Sequence, residues 1–403
     1  MKLILFLGSG VSKQSGLPMV EELTKSLFSR AYHQDSYVHF SPGRHPDPNL
    51  RAADVTPRIR RLLELLIEYD EDDIKRVGYS PSLDRSSGAI YRGDRTTYED
   101  LFYLCEQMRL WNLGLVDNSL VTPLMEIIQR NAGGLLGGDS TMARMSNLGS
   151  LAEQACFFIE SVVADELRPK EIVGLDLILE LATAPFIEQL NIVTLNHDTL
   201  VEQFLAENKV KFIDGFGDVD GDVRWYDETV SDESHPRVRI LKLHGSVNWY
   251  SFLVNGRPRP AIFLGTNVTN IRNGEGAQLT AQFRRPSFLS GINKAVAYQR
   301  GIYADTHFYF HQVLRQCKQI VMSGYGWGDI AINFRLDKWL DQNRNNNIIL
   351  LDRTPETLVD RSLVMASGYD YWTRCGQLVS IRQWLSETSL SDLKNHHFVS
   401  GGQ

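Results

Sequence analysis

The chain opens on an uninterrupted apolar run, Leu3-Ile4-Leu5-Phe6-Leu7, that stops at Gly8-Ser9-Gly10. A short run bounded by glycine predicts a strand buried on both faces, as in a parallel sheet. An amphipathic stretch from Met19 to about Tyr32 predicts a helix. His33 to Pro57 is rich in Pro, Asp and His and reads as a long loop. Helical spacing returns over Ile59 to Tyr69, with Leu62, Leu63, Leu65 and Leu66 on one broad face. A second loop is expected from Gly78 to Arg95. Thr96-Thr97-Tyr98-Glu99 then has the spacing of a capping box before a periodic helix through Leu110. Further helices are expected at Leu120 to Arg130, Leu148 to Leu167 and Glu171 to Leu190, with Gly133-Gly134 and Gly137-Gly138 marking a connection.

The pattern changes at Asn191. Ile192 to Leu195, Val238 to Leu243, Ala261 to Leu264, Gln319 to Ser323 and Ile348 to Leu351 are short β-like runs. Helical patterns lie between several of them, at Tyr303 to Gln316, Ile330 to Gln342 and Pro355 to Met365. This alternation predicts an α/β fold built on a doubly wound, Rossmann-like, mainly parallel sheet. The helical stretch between the first strand and Asn191 then reads as a large insertion. The expected organisation is a sheet domain from residues 1–19 and 191–390, a helical insertion at 20–190 and a tail at 391–403.

Composition narrows the functional classes. With 43% hydrophobic and 23% charged residues, the chain of 403 residues reads as a globular protein with a large core. A net charge of −7 gives no basic footprint, so direct nucleic-acid binding is not expected. Cys105, Cys156, Cys317 and Cys375 form no Cys-x-x-Cys pair, so neither a zinc ribbon nor a thioredoxin-like redox pair is indicated, and no metal site is assigned. Such scattered cysteines fit a reducing compartment. The first apolar run is shorter than the ~7–15 residues of a signal-peptide core. No stretch approaches the ~20 residues needed to span a bilayer. A cytoplasmic protein without membrane association is expected.

The candidate chemistry sits where β-like runs end. Gly8-Ser9-Gly10-Val11-Ser12 follows the first strand, and glycines there let backbone N–H groups approach a pyrophosphate. A simple tight turn explains the same residues, and the full Gly-x-Gly-x-x-Gly spacing is absent because Lys13 stands at the last position. Asn196 and Asp198 follow Ile192 to Leu195, at the strand end where open α/β sheets place ligands. For Asp198 the plainer role is a helix cap before Leu200. His244, between Leu243 and Gly245, suits a general base, or a buried histidine bonded to backbone. Gly324-Tyr325-Gly326 follows Ile320 to Ser323, while Asp329 is well placed to cap the next helix. Asp352 ends Ile348 to Leu351, where a carboxylate accepts from a ribose hydroxyl or serves as a turn residue. Asp218-Val219-Asp220-Gly221-Asp222 lacks the glutamate of a calcium loop and reads as a solvated turn.

In this order the motifs resemble the sirtuin family. Gly8 to Ser12 with Ser15-Gly16-Leu17-Pro18 is similar to that family's Gly-Ala-Gly-Ile-Ser and Ser-Gly-Ile-Pro. Thr194-Leu195-Asn196-His197-Asp198 resembles Thr-Gln-Asn-x-Asp, and His244-Gly245 the catalytic His-Gly. Gly324-Tyr325-Gly326 is similar to the family's later glycine loop, and Asp352 falls where the family has an adenosine-contacting Asn. The paired zinc cysteines of the deacylases are missing, Met19-Val20 replaces their aromatic-Arg pair, and Leu195 replaces Gln. The chain thereby resembles the bacterial sirtuin-like branch that hydrolyses NAD in antiphage defence. Lys242 to Trp249, Arg300 to Tyr303 and Gly324 to Asn333 add to that likeness.

The resemblance implies an NAD+ glycohydrolase of sirtuin-type fold, with NAD+ as substrate and no zinc. It implies Asn196 on the nicotinamide ribose and the attacking water, Asp198 on the carboxamide, and His244 as base. Gly8, Ser9, Gly10 and Ser12 would hold the pyrophosphate, Gly324 and Tyr325 would also line the cofactor site, and Asp352 would take the adenosine ribose. A homo-oligomer and a HerA-type hexameric ATPase partner are implied as well. A protein deacylase or ADP-ribosyltransferase, and a non-catalytic nucleotide-binding assembly subunit, are the alternatives.

Overall fold

The computed structural model describes residues 1–37, 39–47, 54–76, 96–115, 121–132, 141–229, 237–265, 270–282, 285–291 and 294–395. The loop expected at Gly78 to Arg95 and the glycine pairs at 133–138 lie outside them. The chain begins with β1 (Lys2–Leu7), followed by a 3₁₀ turn over Ser9–Ser15. Then come α1 (Val20–Ser29), the hairpin β2 (Tyr32–Ser36) and β3 (His39–Pro42), α2 (Thr56–Arg76) and α3 (Tyr98–Asn112). The sequence reads that hairpin as loop, because its short strands carry few apolar residues. α4 (Val121–Asn131) and α5 (Thr141–Glu166) complete a helical unit. Its buried residues, among them Leu27, Leu63, Leu101, Met125 and Phe158, form one cluster. The cap of α3 is shifted by one residue from the expected box. Thr97 and Asp100 exchange it, while Thr96 donates to the buried Asp70 at 2.9 Å.

α6 (Asp176–Thr183), β4 (Gln189–Thr194), α7 (Leu200–Glu207) and β5 (Phe212–Ile213) return the chain to the sheet of β1. The hairpin β6 (Phe216–Asp220) and β7 (Val223–Tyr226) precedes β8 (Val238–Lys242). β9 (Trp249–Val254), β10 (Arg257–Phe263), β11 (Ile271–Arg272) and β12 (Gln278–Ala281) then join β6 and β7 in a separate antiparallel sheet of six strands. The run at Ala261 to Leu264 thus belongs to this second sheet. The cause is local: Asn255 and Gly256 have φ of 52° and 75°, the left-handed pair that a two-residue hairpin turn requires. The acidic turn at Asp218 to Asp222 links β6 and β7, and Asp220 accepts from Gly274 N–H and Trp225 Nε1, both at 2.7 Å.

α8 (Gly301–Gln316), β13 (Gln319–Ser323), α9 (Ile330–Gln342), β14 (Asn347–Leu351), α10 (Leu363–Arg374) and β15 (Leu378–Ile381) finish the main sheet. That sheet has seven strands in the order β15-β14-β13-β1-β4-β8-β5, and its pairings are parallel. It is doubly wound. Leu3, Leu5 and Leu7 pack with α6 and α7 on one face, while Ile4 and Phe6 pack with α8, α9 and α10 on the other. From β1 the chain builds outward through β4 and β8, then returns to add β13, β14 and β15 on the opposite side. The order therefore reverses between β1 and β13, and such a crevice at the carboxyl ends is where open α/β sheets bind ligands. No helix among the described residues is long and apolar enough to cross a membrane.

Candidate functional site at the strand carboxyl ends

The loops after β1, β4, β8 and β13 converge at these carboxyl ends. Gly8 N–H donates to Ser323 O and Gly10 N–H to Gly324 O, each at 3.0 Å. These bonds stitch the first loop to the one after β13. A Cβ on Gly8 would lie 2.5 Å from Gly324 O, so the glycine permits a backbone-to-backbone approach. The sequence pattern signals close approach; its partner in the structure is the β13 loop. Ser9 is exposed, and its hydroxyl makes no hydrogen bond among the described residues, which leaves it as a donor in this loop. The residues after it form a 3₁₀ turn, so the first α-helix starts only at Val20 and lends this loop no N-terminal dipole.

Across the loop, Asn196, Ser12 and Asp198 form a buried relay. The Gly8 carbonyl can only accept, so it faces the amide nitrogen of Asn196, at 3.1 Å. The same Nδ2 donates to Ser12 Oγ at 3.0 Å, and Ser12 Oγ donates to Asp198 Oδ2 at 2.7 Å. Asp198 Oδ1 accepts from Leu200 N–H at 3.0 Å, so Asp198 also supports the start of α7. Lys242 closes the arrangement from β8: its ammonium bonds the Asp198 carbonyl and pairs with Glu202 at 3.0 Å. Some buried polar atoms are left over. Asn196 Oδ1, His197 Nδ1 and Glu202 Oε2 are buried and have no hydrogen-bond partner among the described residues.

His244 stands at the end of β8 beside this relay, its ring 6.1 Å from that of His197. Its Nε2 lies 2.8 Å from Tyr298 Oη and 3.0 Å from Asp329 Oδ2, and Tyr298 donates to the same carboxylate oxygen. Residues 190–372, which supply all of these groups except Gly8 and Ser12, match the family model described as the SIR2-like domain. This stretch is therefore similar to a SIR2-like domain. No curated protein matches the chain. Solved structures similar to it include a sirtuin studied for substrate affinity, at 8% identity over 100% of this chain and 94% of that one, TM-score 0.33. A Sir2 homologue in complex with NAD aligns at 12% identity over 93% and 89%, TM-score 0.30. A point mutant of a Sir2 homologue with ADP-ribose aligns at 12% over 93% and 92%, TM-score 0.28.

The electrostatics around His244 favour a neutral imidazole. Burial lowers the His244 pKa, and the Lys294 charge lowers it further, against the opposing pull of Asp329. Burial, then the neighbouring His244, also pushes His197 well below the ordinary histidine value. Burial alone would raise the Asp329 carboxyl; the hydrogen bonds from His244 and Tyr298 and the Lys294 charge hold it well below the usual range.

The other sequence-predicted residues fall in two places. Gly324, at φ 67°, meets the first loop. Tyr325 points into the core against Phe6, its ring 5.2 Å away, and donates to Asn333 Oδ1 at 2.7 Å. Its side chain is thus structural, and only its backbone lies at the crevice loop. Asp352 ends β14 and accepts from Thr354 N–H at 2.7 Å, the strand-end turn; it has no hydrogen bond to the Asn196 group among the described residues. Asp329 caps α9 through Oδ1, as its position predicts, and its other oxygen reaches His244. Tyr298 and Phe288 carry no local signal in the sequence. They come from the segment after β12 and contact His244 and His197 only through the tertiary fold.

Proposed function

We propose that the chain is an NAD+ glycohydrolase that cleaves the nicotinamide–ribose bond to give nicotinamide and ADP-ribose. The observation that carries this reading is the buried Asn196 Oδ1, which has no partner among the described residues and is held against Gly8 by the loop that follows β1, next to the topological switch point. An orphaned acceptor in a buried site asks for a donor, and a ribose hydroxyl or the attacking water supplies one. Asn196 cannot turn this oxygen away, because Gly8 and Ser12 fix its amide. Asp198, anchored by Ser12 and Leu200, keeps lone pairs for the carboxamide N–H groups. His244 takes the proton from water or a ribose hydroxyl. The pyridinium departs as neutral nicotinamide, so no general acid is needed at the leaving group. Ser9 and the glycine loops would face the pyrophosphate, and Asp352 the adenosine ribose. No group of three or more potential metal ligands occurs among the described residues, and the reaction as drawn uses only side-chain chemistry.

In the cell, we propose a cytoplasmic, homo-oligomeric NAD-depleting effector of antiphage defence that works with a HerA-type ATPase. The resemblance noted above supports this role. The test is incubation with NAD+, with and without the product of the neighbouring gene, following nicotinamide and ADP-ribose. His244→Ala and Asn196→Ala should each abolish release; full activity in both variants would remove the assignment. Release that requires an acetylated peptide would instead point to a deacylase.

A further inference from the structure

We infer that Asp329 and Tyr298 are positioning residues that hold His244 as its Nε2–H tautomer and leave Nδ1 as the basic nitrogen of the ring. This inference rests on the reading of His244 as the base, but its geometry stands by itself. Asp329 divides its two oxygens between two tasks. Oδ1 accepts from Ala331 and Ile332 N–H at 3.0 and 3.1 Å and so caps α9. Oδ2 accepts from the Tyr298 hydroxyl and lies 3.0 Å from His244 Nε2.

The proton inventory decides the tautomer. An ionised carboxylate has no proton to give, so the Nε2 contact requires Nε2–H as donor. The Tyr298 proton is committed to Asp329, so the phenol oxygen 2.8 Å from Nε2 also serves as an acceptor. A bare lone pair on Nε2 would face two oxygen acceptors and no proton. The helix N-terminus favours the ionised form of Asp329, in agreement with its depressed pKa. Burial keeps the imidazole from carrying a second proton, so Nδ1 retains its lone pair. Among the described residues no hydrogen bond engages Nδ1.

Tyr298 is itself held in place. Its ring stacks on His307 with centroids 3.8 Å apart and lies nearly parallel to His244 at 5.8 Å. The hydroxyl therefore sits at a fixed point between the imidazole and the carboxylate. Each partner comes from a different loop, so the tautomer depends on the assembled fold.

The test is long-range proton–nitrogen correlation NMR on the full chain labelled with [15N]histidine, with His244 assigned by loss of its signals in His244→Gln. The wild type should show a protonated Nε2 and an unprotonated Nδ1. Asn caps helices about as well as Asp, so Asp329→Asn preserves α9 while removing the anionic acceptor. That variant should shift His244 toward the other tautomer, and Tyr298→Phe should do so to a smaller extent. An Nδ1–H tautomer in the wild type, or a His244 spectrum unchanged in folded Asp329→Asn, overturns the inference. Where NAD+ is turned over, Asp329→Asn should lower kcat at least ~10-fold with KM within ~2-fold, because orientation of a base acts on the chemical step. The NMR result needs no turnover, so an inactive wild type refutes the proposed reaction and leaves the tautomer decided separately.

Discussion

Gly8→Ala tests whether the first glycine exists for contact between two loops. The new Cβ would meet Gly324 O and Tyr325 Cα, both at 2.5 Å and both backbone atoms. Ordinary contact between such atoms needs ~3.5–4.0 Å, so the loops must part by about 1 Å. Parting them breaks or stretches the 3.0 Å bonds Gly8 N–H to Ser323 O and Gly10 N–H to Gly324 O. Overpacking costs about 1–3 kcal/mol, and leaving a buried backbone group unpaired costs a similar amount. A loss of about 3–5 kcal/mol is expected for Gly8→Ala. Gly16→Ala is the control: Gly16 has φ 74° but open space around it. There the left-handed backbone alone costs about 1 kcal/mol. Gly324→Ala combines both penalties, at φ 67° with Val11 N only 2.5 Å from the added carbon, and should be the worst. Urea denaturation of the three variants at one pH measures the order. If Gly8→Ala is as mild as Gly16→Ala, the loops are not in contact and the glycine is not needed for their approach.

Three further outcomes follow from buried charges and the site. Burial, then the Arg335 guanidinium, lowers the His307 pKa to about 3, below an unfolded value of ~6.5. The stability this supplies is fully present above that unfolded value and is lost as pH falls toward 3, at about 1.4 kcal/mol per pH unit. Between pH 6.5 and 5 the wild type should therefore lose about 2 kcal/mol that His307→Gln retains, read by urea denaturation; parallel pH slopes would contradict it. Arg285 pairs with Glu160, whose side chain is 8% exposed, so Arg285→Met should cost about 3–5 kcal/mol by stranding that carboxylate. Adding Glu160→Met should recover much of it; additive losses in the double variant would show that the pair is not coupled. Ser12→Ala removes the link between Asn196 and Asp198 and should lower nicotinamide release with little change in thermal stability, as measured by kcat and melting temperature.

Much of the fold was legible because local pattern and global topology agree. The apolar run at Leu3 to Leu7 reads as a two-sided buried strand, and its alternate residues do fill opposite cores. The second sheet was less legible, although Asn255-Gly256 carried a hairpin signal that a search for parallel strands passes over. For the site, Ser12 stands in one sequence motif and Asn196 and Asp198 in another, and the structure joins the two by hydrogen bonds. Asp329 was readable only as a cap, since one of its oxygens is a local partner of α9 and the other answers to a histidine far along the chain. Tyr298 shows no pattern at all; its role comes from stacking and from a hydroxyl whose neighbours lie in other loops.

The helical unit lies far from the Asn196 motif in sequence but forms part of the wall around it. Phe288 makes the connection: it is buried in the core cluster of that unit, and its ring lies 4.7 Å from His197. Two ion pairs fasten the same segment, Arg285 to Glu160 on α5 and Lys294 to Glu99 on α3 at 2.6 Å. Asn196, Asp198 and His244 are 9%, 4% and 3% exposed, so their surroundings are protein on nearly every side. In a close-packed interior a displaced side chain moves its neighbours instead of yielding into free space. A shift of the helices against the sheet would therefore reach His197 through Phe288. The helical unit thus packs against the surroundings of His197, even though the residues similar to a SIR2-like domain lie outside it.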